Sequence, residues 1–109
     1  MSKKELTSKQ MGMNNVIECM KSADLIMNTK RPSLLKRVNA SIYLHKGLEY
    51  DPDNPQILLR LVRIHKDNPE TCLSYIKRLA TLPKTAENKK YIDTAKQCLK
   101  MLKTDNLIN

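Results

Sequence analysis

The sequence predicts an all-α protein of antiparallel helical hairpins, stacked as an array or closed into a five-helix bundle. Three observations lead there. Apolar residues recur at three- and four-residue steps in five separate segments. Gly numbers only 2 and Pro 5, and the prolines fall between those segments. Phe and Trp are absent and Tyr is 4, so Leu, Ile, Val, Met, Ala and Cys must fill the core, which suits helix-on-helix packing. At 109 residues one small domain is the default. With 40% hydrophobic and 28% charged residues, the chain is not a disordered one.

From Met11 to about Asn28, Met13, Val16, Ile17, Met20, Ala23 and Met27 follow the period of one helix face. The methionine stripe of this first helix is expected to fill core space. Lys30 to Ser33 break the pattern, with Pro32 suited to the first position of the next helix, where its missing N–H costs little. The second helix runs to about Tyr50. One of its faces carries Leu34, Leu35, Val38, Ile42 and Leu48 and another Ala40, Leu44 and Gly47, so cover from two sides is expected.

Asp51-Pro52-Asp53-Asn54-Pro55 is the strongest stop in the chain, and Asn54 is placed to cap the next helix. That third helix, from Pro55 or Gln56, is apolar almost all round through Ile57, Leu58, Leu59, Leu61, Val62 and Ile64, and is expected to be the central one. Asp67-Asn68-Pro69-Glu70 starts a fourth helix with Cys72, Tyr75, Ile76, Leu79 and Ala80 on one face. After Leu82-Pro83, Thr85 with Asn88 suits a fifth start near Ala86, with Tyr91, Ile92, Ala95, Cys98, Leu99 and Leu102 on its apolar side. Residues 11–103 thus read as one helical domain, between a flexible basic N-terminus (1–10) and a frayed tail (104–109). The short links make neighbouring helices antiparallel.

Ala40, Leu44, Gly47 and Pro52 fall at the spacing small-x3-large-x2-small-x4-Pro, and Leu58, Leu61, Val62 and His65 continue it. This resembles the tetratricopeptide repeat, the first four residues matching its second helix and the others the first helix of the next unit. The likeness is continuous from Ala40 to His65, with Leu for the family's aromatic, Val for its glycine and His for its tyrosine. The fourth helix fits only with a shortened connection, and the first fits poorly. The resemblance implies a helical array whose first helices line a concave, peptide-holding face; Arg60 and Arg63 would stand on it and pair with a partner's carboxylates. The family's Lys and Asn carboxylate clamp is not recognisable, so binding of chaperone tails is not implied.

Chemistry is sparse. The sequence suggests no positioned partner that would make His45 or His65 a general base. Cys72 and Cys98 lie on apolar faces, where a thiol behaves as a small hydrophobe. Asp51 and Asp53, beside prolines, read as turn and capping residues. Cys19, Cys72 and Cys98 form neither a C-x-x-C pair nor a metal set, so no disulfide framework, metal or cofactor is expected and a reducing, cytoplasmic location fits. No Gly-rich phosphate loop exists, since the glycines are Gly12 and Gly47. No catalysis is expected.

What remains is charge. Twenty Lys and Arg against 11 Asp and Glu give +9, divided as 9 against 4 over residues 1–50, 5 against 4 over 51–83 and 6 against 3 over 84–109. Such a field draws acidic proteins, nucleic acid or an anionic membrane, and charge alone does not choose among them. The opening residues have no apolar stretch of a secretory signal, and no run reaches the ~18 apolar residues of a membrane span. Two partner classes suit this charge: a protein or peptide, preferably acidic, held by Arg60 and Arg63; or RNA, as in a ribosome-associated protein, with phosphates tracked by Lys89, Lys90, Lys96, Lys100, Lys103 and the basic N-terminus. Tyr91 apart, no aromatics are interleaved with those lysines to stack bases.

Overall fold

A computed structural model of the chain describes residues 8–105, with side chains described from Met13 on. The described residues hold five helices and no strand: α1 (Ser8–Met27), α2 (Leu34–Tyr50), α3 (Pro55–Ile64), α4 (Pro69–Ala80) and α5 (Lys89–Thr104). None is long and apolar enough to cross a membrane. The basic N-terminus lies outside the described residues over 1–7, and the tail does so over 106–109; residues 8–10 belong to α1. The chain forms two compact units, Met1–Pro52 and Asp53–Asn109, divided inside the proline-rich stop.

In the first unit α1 packs along α2. α1 buries Val16, Met20 and Ala23, at the i, i+4, i+7 spacing of one face. The methionine stripe is only partly inside: Met20 is buried, Met27 half-buried and Met13 exposed. α2 starts two residues later than Pro32 suggested. Ser33 is the cap, its hydroxyl accepting the Lys36 N–H at 3.2 Å, and Pro32 stands outside the helix. α2 buries Ala40, Leu44, Gly47 and Leu48. The expected second covered face is overturned, because Leu34, Leu35, Val38 and Ile42 stand in solvent.

In the second unit the Asn-Pro pair is used twice. Asn54 and Asn68 accept the N–H groups of Ile57 (3.1 Å) and Thr71 (3.3 Å), while Pro55 and Pro69 open the helices with a residue that needs no N–H partner. α3 buries Ile57, Leu58, Leu61, Val62 and Ile64; α4 buries Cys72, Tyr75, Ile76 and Leu79; α5 buries Ile92 and Ala95. Within this unit the middle helix is α4, which packs on both α3 and α5. Its Cys72 Sγ lies 3.0 Å from the Val62 carbonyl oxygen and 3.1 Å from that of His65, where α3 ends, and the His65 carbonyl also accepts the Asn68 N–H at 2.8 Å. Asp53 does more than turn the chain: it pairs with Arg78 of α4 at 3.5 Å.

α5 begins at Lys89, not near Ala86. The Thr85 hydroxyl accepts the Asn88 N–H (3.2 Å) and Asn88 Nδ2 donates back to the Pro83 carbonyl (3.0 Å). These bonds close a turn over 86–88, which uses up the residues that looked like a helix start.

Candidate functional site

Three surfaces carry the chemistry of the chain. The first is the open side of α3. Gln56, Arg60 and Arg63 lie along one stripe at i, i+4, i+7, opposite the buried aliphatic face. Arg60 is half-buried, its Nη1 donating to the Gln56 carbonyl oxygen at 3.2 Å, while Arg63 is exposed in the last turn. The two expected partner-binding arginines are therefore neighbours on one face. Arg60 is laid back along its own helix.

The second surface is the lysine face of α5. Lys89, Lys90, Lys96, Lys100 and Lys103 are all exposed. Lys89, Lys96, Lys100 and Lys103 share one stripe about 21 Å long at ~1.5 Å per residue, and Lys90 stands to the side. Two of the five are engaged locally: Lys89 Nζ bonds Asp93 Oδ2 at 2.9 Å, and Lys90 lies 5.1 Å over the Tyr91 ring. Lys84, Lys89 and Lys96 border an open hollow of about 390 Å³ with Ile92 and Asp93. The side chains of Lys3, Lys4 and Lys9, counted with the basic N-terminus, are outside the described set.

The third surface was not foreseen. Leu34, Leu35, Val38 and Ile42 of α2 are 69%, 69%, 47% and 52% exposed. At 100° per residue they lie on roughly the opposite side of α2 from Ala40, Leu44 and Gly47. The segment Lys30-Arg31-Pro32-Ser33-Leu34-Leu35-Lys36-Arg37 sets two basic residues before the leucines and two after them, and no carboxylate occurs from Lys30 to Lys46. That sequence signal was available: a core-facing stripe is rarely bracketed so tightly by one sign of charge.

The titratable groups whose protonation is shifted are inward-facing. Burial pushes the Cys72 thiol up, helped by Cys98 and Asp67. Burial also raises Cys19, with Lys46 opposing and Glu18 and Glu49 adding to it. Tyr75 is raised by burial against the pull of Arg78, and its ring stacks on His65 with centroids 5.7 Å apart. Raised thiols are poor nucleophiles. Cys19, Cys72 and Cys98 are all free. Among the described residues no three His, Cys, Asp or Glu side chains gather as a metal-binding group.

Comparison of the chain with protein-family models, with curated proteins and with solved structures finds no match.

Proposed function

We propose that this chain is a noncatalytic binding module, a helical-hairpin scaffold that engages a protein partner. The exposed apolar face of α2, within its basic surround, carries the reading, since aliphatic side chains left in water at helical spacing mark a surface that another chain covers. Arg60 and Arg63 on α3 supply a second contact of the same preference, for carboxylates. The tetratricopeptide-like spacing from Ala40 to His65 supports a scaffold role, because that pattern belongs to proteins that hold peptides.

A second reading rests on α5. Four lysines in one 21 Å row, about the reach of several phosphates, suit RNA held through its backbone, as in a ribosome-associated protein. Capture from cell lysate by the full chain, with and without nuclease, separates the two. As a protein binder it should keep its partner after nuclease, lose it with Leu35→Glu plus Val38→Glu, and weaken with Arg60→Glu plus Arg63→Glu. As an RNA binder it should lose its partner to nuclease, depend on the α5 lysines, and show affinity that falls steeply with salt.

A further inference from the structure

We propose that the outer face of α2 docks one amphipathic helix whose apolar stripe is flanked by acidic residues. This rests on the reading of the chain as a protein-binding module and names the partner's chemistry. Leu34, Val38 and Ile42, at i, i+4, i+8, form a straight ridge about 12 Å long at ~1.5 Å per residue, with Leu35 beside it. A ridge of this spacing fits the groove between the side-chain rows of another helix. It offers no backbone hydrogen-bonding edge to an extended peptide. The exposed aliphatic surface is on the order of 400 Å², the size of patch that is often functional on a soluble monomer.

Charge chooses the occupant. Lys30 and Arg31 precede the ridge, Lys46 stands one turn beyond Ile42 on the same i, i+4 row, and no carboxylate stands between Lys30 and Lys46, so glutamates or aspartates flanking the incoming stripe are attracted and lysines repelled. A second copy of this chain fits badly, because pairing through this face sets basic block against basic block. An anionic membrane also fits badly. Phe and Trp are absent from the chain, and Glu49, seven residues after Ile42 on the same side of α2, carries a carboxylate that a flat bilayer would have to desolvate. A helix crossing α2 at an angle leaves the ridge before reaching Glu49.

The test uses the full chain and a fluorescently labelled synthetic helix with leucine at the a and d positions of its heptads and glutamate at e and g. Its counterpart carries lysine at e and g. Anisotropy titration should show saturable binding of the glutamate helix and affinity at least about tenfold weaker for the lysine helix. Leu35→Glu plus Val38→Glu should abolish binding, and Lys30→Glu plus Lys46→Glu should weaken it about tenfold; all four side chains are exposed, and circular dichroism checks that both variants keep their helices. Equal binding of the two helices, binding indifferent to either double variant, a dimer that Leu35→Glu plus Val38→Glu dissociates, or preferred capture by phosphatidylserine vesicles would each overturn the proposal. Should the glutamate helix fail while lysate capture of a nuclease-resistant partner still depends on Leu35 and Val38, the helix assignment falls and the binding-module reading stands. Should that capture also be indifferent, both fall.

Discussion

The two units use similar aliphatic residues to different ends. In residues 53–109 the aliphatic positions of α3 and α4 turn inward, and among the described residues Met101 is the exposed large apolar side chain. In residues 1–52 Met13, Ile17, Leu25, Leu34, Leu35, Val38 and Ile42 face solvent although their helices are just as regular. The difference lies in neighbours. Within its unit α4 has two helices against it and α2 has one, so α4 buries a broad face whereas α2 buries one stripe and leaves another out. Amphipathic periodicity says that a face is apolar; whether it becomes core depends on how many elements the chain brings to it.

Matched truncations on the two sides should give the largest contrast. Leu61→Ala removes a side chain that is 0% exposed and should cost about 2–5 kcal/mol in a urea melt. Leu35→Ala, on the open face of α2, should stay within about 0.5 kcal/mol. Equal losses would mean that α2's outer face is packed in solution.

Next in size is Cys72. Replacing it by Ala strips the thiol from the end of α3 and leaves a small void, for about 1–3 kcal/mol. The same thiol gives the second unit an alkaline limit. The unfolded chain gives up this proton near the ordinary value of 9.0, while the folded chain holds it to higher pH, so the unfolded state binds fewer protons and stability falls as pH climbs past 9. Tyr75, raised from 10.0, extends the decline. Urea midpoints at about pH 7.5 and pH 10 should show it, and Cys72→Ala should flatten the first part of the fall. A midpoint that rises with pH would contradict the sign.

The caps come third. Asn54→Ala, at a buried cap, should cost about 1–2 kcal/mol and Asn68→Ala, at an exposed one, nearer 0.5. The smallest effect belongs to the Asp53–Arg78 pair, whose side chains are 70% and 41% exposed. Asp53→Asn should move the thermal midpoint by no more than the scatter expected of about 0.5 kcal/mol.

Much of this architecture was legible in the sequence. Asn-Pro announces α3 and α4 because an amide acceptor next to a residue without an N–H is what the start of a helix needs. The buried faces of α3, α4 and α5 match their periods. The start of α5 was misread because Thr85 and Asn88 hydrogen-bond equally well to a tight turn, and local chemistry does not tell the two apart. The α2 face was misread for a different reason: burial is a property of neighbours, and no single segment reports its neighbours. Arg60, Arg63 and the α5 lysines stand where their helical spacing put them, on open surfaces.

The three thiols also give this protein built-in clocks. Cys72 is buried and bonded at the end of α3, so it reacts with an alkylating reagent mainly when its unit opens, while Cys19, half-buried on α1, is already partly open to the reagent and reacts faster still when its own unit opens. With Cys98 replaced by Ala, the mass increments at Cys19 and Cys72 would time the opening of the two units in one tube, with no probe attached. A partner helix on α2 should slow the Cys19 clock and leave the Cys72 clock running at its own pace.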